Sequence, residues 1–383
     1  MTTYEAGTLR AARASGIPIE ELLSLSVSGL ETMFHPESQM FCHRRKLTSA
    51  GLVNEGLSAR YTMMSLLGLA RREASGCPAP VAMRATLHGP LAGAGQLRNL
   101  GDLGLLLWLC AVAAPERVPD VCNTQVLPSF LKRSWGARER RTMELAWMLA
   151  GLAHAKLSGR ADGPWLQDGA SYAYGLLAKN QGSHGLFGHC ATGRSLPGML
   201  RGHIGSFADQ VYPIYALAKF GQAYGVQPAL EMAGRCADAI CRMQGPSGQW
   251  WWHYEARTGR VFEQYPVFSV HQHGMAPMAL FALMDATGID YSGPIYSGLQ
   301  WVTGTNELGR DLSDGERNMI WRGVYRRSTL GVLKSRALSL LEGKLPSIPA
   351  AGDLRVRWEC RPYELGWLLY AFSGRNAEEA AKP

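Results

Sequence analysis

Three stretches decide the fold: RYTMMSLLGLA (60–70), DLGLLLWLCA (102–111) and ELAWMLAGLA (144–153). Each opens on a charged residue and continues as a small, aromatic and aliphatic helix, and the three start 42 residues apart, which is room for one helical hairpin per repeat. Further copies follow at wider intervals: DQVYPIYALA (209–218), HQHGMAPMALFAL (271–283) and ELGWLLYAF (364–372), with loops filling the extra length. Between them lie more amphipathic helices, SYAYGLLAKN (171–180), PALEMAGRCADAICRMQ (228–244) and GPIYSGLQWV (293–302). In the second, Leu230, Ala233, Ala237 and Ile240 make one apolar stripe, and Glu231, Arg235, Asp238 and Arg242 fall off it.

Helices apolar all round are buried on two sides, and striped ones on one. Six alternations of the two kinds predict an all-α fold, an (α/α)6 toroid with an inner ring of helices inside an outer ring. Pro213 and Pro277 fall near the first turns of their inner helices, where proline is tolerated, and mark the mouth of the ring. Residues 49–375 are expected to form the toroid, 1–48 a helical extension packed on it, and 376–383 a tail.

Composition agrees with a single large core: 46% of the 383 residues are hydrophobic and 18% charged. The N-terminus lacks the apolar run of a secretory signal, and the greasiest stretch, LGLLLWLCAVAAP (103–115), is too short to span a bilayer, so no transmembrane segment and a cytoplasmic location are expected. The eight cysteines include no C-x-x-C pair and read as buried free thiols. Cys236 and Cys241 fall on different helix faces, and no metal site or cofactor is indicated. A net charge of +8 allows an anionic partner. The basic clusters HRRK (43–46), RERR (138–141) and YRR (325–327) are too short and motif-free for nucleic acid, so the expected partner is a small molecule or glycan.

YGLLAKNQGSHGLFGH (174–189) and ADAICRMQGPSGQWWWHY (237–254) each place a glutamine, a turn and a glycine with aromatics after an outer helix. This resembles the repeats of the terpene cyclase and prenyltransferase toroid superfamily. The same six-hairpin ring is similar to that of (α/α)6 glycan-active enzymes, and fold alone does not choose the reaction. The motifs of the isoprenoid enzymes are missing. There is no D-x-D-D acid, no D-D-x-x-D diphosphate site and no prenyltransferase zinc set, and the adjacent pair His189-Cys190 resembles only part of a lanthipeptide cyclase ligand set.

In such a ring the inner helices open onto one mouth, bringing together Asp102, Glu144, Asp209, His271 and Glu364, with Glu55, Arg60 and Tyr61 at the first repeat. Any one of these acids reads first as a helix cap; the converging set reads as a candidate site. The richest constellation runs from His203 to His273. Asp209, His271, His273, Tyr212 and Glu144 are the candidate catalytic residues. His203, Trp250, Trp251, Trp252, His253, Tyr254, Arg257, Tyr265, Gln272, Trp321 and Arg322 are the candidate substrate-binding residues. Three consecutive tryptophans cannot share one face, so at least one is expected at the cavity.

Aromatic faces, imidazoles, a carboxylate and an arginine are what a sugar site needs. The expectation is therefore a glycoside hydrolase, lyase or epimerase with Asp209 as general acid or base and His271 or His273 as its partner. Tryptophans would stack the sugar, and Arg257 or Arg322 would hold an anionic group. The alternatives are an isoprenoid enzyme using aromatic rings to stabilise carbocations, and a toroid that binds without catalysis.

Overall fold

The computed structural model describes residues 19–77, 99–123, 139–192, 201–328 and 348–375. The described helices are α1 (Ile19–Met33), α2 (Ala59–Ala74), α3 (Leu100–Ala113), α4 (Val118–Asn123), α5 (Thr142–Leu157), α6 (Pro164–Asn180), α7 (Ala208–Tyr224), α8 (Gln227–Arg242), α9 (Ala276–Thr287), α10 (Ser292–Gln300) and α11 (Pro362–Phe372). Helices α2, α3, α5, α7, α9 and α11 pack each on the next, and α11 closes on α2. These are the six apolar repeats. Around them α1 packs on α11, α6 on α5, and α8 on α7 and α9. The fold is an (α/α)6 toroid. Residues 1–18 and the expected tail 376–383 lie outside the described residues, as does Arg138 of the second basic cluster.

Glycine sets how closely the inner helices approach. A Cβ on Gly104 of α3 would stand 2.5 Å from the backbone of Met148 in α5, and one on Gly151 of α5 would overlap the carbonyl of Gly104. Gly68 of α2 and Gly366 of α11 meet in the same backbone-to-backbone way. Below the mouth the ring is filled by an aromatic plug: Trp108 stacks on His154, Tyr215 and Trp367. Its polar atoms are linked in series. His154 Nε2 lies 2.8 Å from Tyr215 Oη, which is 2.7 Å from Tyr370 Oη, and Trp108 Nε1 donates to Tyr370 Oη at 3.1 Å.

The glutamine-turn-glycine segments are structural clamps. Gln181 Nε2 donates to Gly185 O and to Met232 O of α8; Gln244 Nε2 donates to Gly248 O and to Pro294 O of α10. Each glutamine thus closes its own turn and ties it to the next outer helix. The turn glycines need left-handed φ, 88° at Gly185 and 89° at Gly248, and in both a Cβ would collide with a carbonyl of that next helix.

Short antiparallel strands, which helical periodicity does not reveal, collect where the chain enters inner helices. They are β1 (Met40–Thr48), β2 (Gly51–Leu57), β3 (Ile204–Ser206), β4 (His253–Glu255), β5 (Arg260–Glu263), β6 (Val267–Phe268), β7 (Gly323–Arg326), β8 (Leu354–Arg357) and β9 (Glu359–Cys360). Strand β1 pairs with β2 and β9, β4 lies between β3 and β5, and β7 lies between β6 and β8. β2, β3, β6 and β9 run almost directly into α2, α7, α9 and α11, so the sheets fix the mouth residues. Among the described residues no helix is long and apolar enough to cross a membrane. The cysteines are free thiols, five of them buried. Burial raises the five buried thiols, Cys42 to about 11 and Cys110 to about 12, which makes them poor nucleophiles.

Candidate active site

A cavity of about 250 Å³ sits at the mouth, lined by Met64, Met143, Trp147, Ser206, Ala208, Tyr212, Trp252, Phe268, His271, Met275, Arg322 and Tyr363. Residues on α2, α5, α7 and α11, and on the turn leading into α9, reach it; of Asp102, Glu144, Asp209, His271 and Glu364, expected to converge at the mouth, only His271 lines it. Its walls are aromatic. Tyr212 presents its ring edge-on to Trp147 at 5.1 Å, and its hydroxyl accepts a hydrogen bond from Trp367 Nε1 at 3.0 Å, joining cavity floor to plug. Burial raises the Tyr212 phenol, so it stays protonated.

His271 enters the cavity on a π-helical turn, His271–Met275, that leads into α9. Ala276 N–H bonds to His271 O, and Pro277, one residue on, has no N–H to close an ordinary helical bond, so the wider turn is accommodated there. The imidazole packs against Phe207 at 4.6 Å and stacks on Trp252 at 6.0 Å. Burial pushes His271 down to about 3, so it is neutral, with Nδ1 unpartnered.

Two carboxylates stand at the openings of adjacent inner helices. Asp102 holds Arg60 in a two-pronged pair, at 2.6 Å to Nε and 3.0 Å to Nη2. The Arg60 guanidinium lies 5.2 Å over the Trp147 ring. Burial works against its charge, but Asp102 and then Glu144 outweigh that and leave its pKa raised. Glu144 is less committed: it is half-buried and, among the described residues, accepts one hydrogen bond, from Asn99 Nδ2 at 2.8 Å. Met143 beside it and Trp147, three residues on, both line the cavity; Glu144 itself does not.

Arg322 carries the charge inside the cavity. It pairs with buried Glu364 and, at 3.2 Å, with Glu359, and its guanidinium lies 4.7 Å over Phe268. Burial acts against that charge, and Glu364 more than restores it, holding the guanidinium well above its ordinary value. Burial pushes Glu364 up while Arg322 and Arg361 pull it down. Glu359 also meets Arg44, Arg357 and Arg361, at 3.4, 3.2 and 3.6 Å.

The residues singled out from sequence divide between wall and scaffold. Tyr212, Trp252, His271 and Arg322 line the cavity, and Glu144 is the chain neighbour of Met143 in the lining. Asp209 is only 1% exposed, and its partner is His189, at 2.9 Å, not His271 or His273. The same Asp209 oxygen accepts from Ser206 N and Oγ, both at 2.8 Å, while Oδ1 is buried without a partner. His189, set aside in the sequence as half of an isolated pair, is held above its ordinary pKa by Asp209. His273 is buried with both ring nitrogens unpartnered and does not line the cavity; burial pushes it down to about 3.

The rest are structural neighbours. Trp250 is fully buried and stacks on Phe207; Trp251 donates from Nε1 to Met243 O at 2.9 Å. Gln272 accepts from Trp250 N at 3.1 Å and donates to Phe268 O at 3.1 Å, and Tyr254 Oη accepts from Trp251 N. His253 pairs with Glu263 at 2.8 Å and His203 with Glu255 at 3.5 Å. Tyr265 donates to Glu307, and Trp321 is buried edge-on to Trp358. Arg257, expected to hold an anion, is exposed on the β4–β5 turn and does not line the cavity; Arg322 does. Sequence reasoning left Asn99 and Tyr363 out and did not pair Arg60 with Asp102. Their signal was visible, since the openings of the first two repeats carry opposite charges. Among the described residues, no group of three or more His, Cys, Asp or Glu could hold a metal ion.

No protein-family model matches the sequence, and no curated protein matches it. Solved structures do match, over nearly the whole chain. An unsaturated glucuronyl hydrolase specific for heparin has a TM-score of 0.58 at 14% identity, covering 95% of this chain and 98% of its own. Unsaturated glucuronyl hydrolase from Bacillus sp. GL1, responsible for glycosaminoglycan degradation, has 0.57 at 16%, covering 93% and 95%. A polysaccharide lyase has 0.55 at 10%, covering 95% and 99%. These are likenesses of fold, and they fall on the glycan-active toroids. The resemblance to isoprenoid toroids gains nothing from them.

Proposed function

We propose that this chain is a glycan-active enzyme, a glycoside hydrolase that takes one terminal, uronate-type sugar ring into the mouth cavity. The observation that carries the reading is the cavity itself. At about 250 Å³ it falls below the roughly 300–1,000 Å³ of pockets for larger ligands, so it suits one ring rather than a folded polyprenyl chain. Trp147, Tyr212, Trp252 and Phe268 offer flat faces for a sugar, and Arg322 offers a cation for its carboxylate. The surroundings reinforce that sign: Arg44, Lys46, Arg322, Arg357 and Arg361 share three carboxylates, Glu55, Glu359 and Glu364.

Glu144 is the proposed acid and base. As the glycosidic C–O bond breaks, its carboxyl gives a proton to the leaving oxygen. The resulting carboxylate then accepts a proton from the water that adds to the sugar. Asp102 holds Arg60 beside it, and neutral His271 and protonated Tyr212 serve as hydrogen-bonding groups on the wall. The solved hydrolases of this fold support the choice of unsaturated glucuronyl substrates over other uronates. The test is release of the terminal sugar from an unsaturated glucuronyl disaccharide, beside a saturated uronosyl and a neutral disaccharide. Turnover of the first and its loss in Glu144→Gln is expected; turnover of the neutral sugar alone would overturn the reading. A second reading, a toroid that binds without turnover, is favoured by the plug that fills the lower ring. Binding of the disaccharide without product release would select it.

A further inference from the structure

A second concave surface lies beside the mouth, on the outer face of β7 and β8. It is an open groove of about 860 Å³, within the size range of ligand sites, and four arginines line it: Arg310, Arg327, Arg355 and Arg357. Among the described residues no Asp or Glu lines it. Arg357 is paired with Glu359, but among the described residues Arg310, Arg327 and Arg355 have no carboxylate partner, and all three are exposed. A concentration of unpaired positive charge in a concavity focuses the field on an anionic ligand. The groove also has two aromatic walls, Tyr325 and Trp358. Trp358 is 39% exposed, unusual for so large an apolar side chain, with the Arg310 guanidinium 5.5 Å over its ring.

Stacked groups form the wall that the groove shares with the cavity. Arg322 lies 4.7 Å over Phe268, Phe268 meets Tyr325 edge-on at 5.6 Å, and Arg357 lies 5.2 Å over Tyr325. Phe268 and Arg322 line the cavity, while Tyr325 and Arg357 line the groove. Strand β7 makes the same link along the chain. From Arg322 to Arg327 is about 16 Å at the rise of a strand, a distance an oligosaccharide bridges and a single sugar does not.

We infer that this groove binds the remainder of a polyanionic oligosaccharide whose terminal ring occupies the cavity, with arginines engaging sulfate or carboxylate groups and Trp358 stacking a sugar face. Alternating flat apolar faces and anionic substituents match alternating aromatic and guanidinium groups. The inference rests on the proposed function for the direction of the chain, and the test keeps the two apart.

The reaction is tested on the wild-type protein with an unsaturated disaccharide, too short to reach the groove. The groove is tested by titration calorimetry with a saturated heparin-derived hexasaccharide, its desulfated counterpart, and a single-stranded oligonucleotide of equal charge. The proteins compared are wild type and the Arg310→Ala/Arg355→Ala double variant, whose melting temperature checks the fold. The expected result is sulfated hexasaccharide binding that weakens with salt and by about tenfold in the variant, as for two surface charge contacts near the upper end of their range. Binding unchanged in a folded variant overturns the inference even where the disaccharide is cleaved. Equal or tighter binding of the oligonucleotide overturns it in favour of a nucleic-acid surface. Hexasaccharide binding lost in the variant upholds it even where no disaccharide is turned over, in which case the proposed reaction alone falls.

Discussion

Glu144→Gln separates chemistry from architecture. Among the described residues the carboxylate accepts one hydrogen bond, from Asn99 at 2.8 Å, and it is half-buried. A glutamine keeps the side-chain shape and an acceptor for that amide, so the stability cost should stay below about 1 kcal/mol, the net worth of an ordinary hydrogen bond. In a domain of this size that is a melting temperature within about 2 °C of wild type. What the variant loses is the proton. Removing a positioned acid or base costs about 10²–10⁴-fold in kcat, or roughly 3–5 kcal/mol of barrier. The assay pairs turnover of the unsaturated disaccharide with a thermal melt on the same preparation. Turnover within a few-fold of wild type in a well-folded variant would refute Glu144 as the acid. Asp209→Asn is the contrast. One of its oxygens accepts three hydrogen bonds in a buried setting, one from His189, so the amide should cost about 2–3 kcal/mol. Its melting temperature falls along with any loss of activity.

Gly104→Ala places a Cβ 2.5 Å from main-chain atoms of α5 that cannot rotate away. A net loss of about 2 kcal/mol in denaturant titration is expected, despite the roughly 1 kcal/mol gained in helix propensity. Arg322→Met leaves Glu364 buried without its main partner and should cost about 3–5 kcal/mol, with Glu364→Gln in the same chain recovering much of it; a double variant no better than the single one would count against the pairing. His154, His271 and His273 are buried and neutral, each pushed from 6.5 to about 3. Unfolding lets them bind protons, so their stabilisation is complete above about pH 6.5 and drains away as pH falls towards 3; melting temperature should drop across that window, less steeply in His154→Gln. His189 has the opposite sign: Asp209 raises it, so its contribution is full below about pH 6.5 and fades as pH rises through the folded value, and Asp209→Asn should abolish that component.

The ring was legible because its signal is periodic and repeated. A helix buried on two sides has to be apolar on every face, and RYTMMSLLGLA, DLGLLLWLCA and ELAWMLAGLA have no other economical reading. The role of the glycines inside those repeats was not legible, because a glycine at a helix contact looks like any other until the partner backbone is placed against it. The mouth strands were hidden for a related reason. Pieces of two to nine residues carry too few alternations to stand out, and their pairing partners are distant, as with Lys46 opposite Glu359.

The candidate site was half visible, and which half has a physical cause. Sequence can say that a residue opens an inner helix; it cannot say which neighbours claim its polar atoms. Asp209 and Glu144 open α7 and α5 in the same way, yet a loop histidine and a serine one turn back occupy Asp209, while Glu144 keeps most of its hydrogen-bonding capacity. The tryptophan run divides similarly: Trp250 stacks on Phe207, Trp251 donates to Met243 O, and only Trp252 turns into the cavity. A carboxylate whose lone pairs are taken up by the fold is held rigidly but has little left for a substrate. One with a single hydrogen-bond partner among the described residues can change protonation without unravelling what surrounds it. By that criterion the proposed chemistry falls to Glu144, beside the Arg60–Asp102 pair that joins the first two repeats.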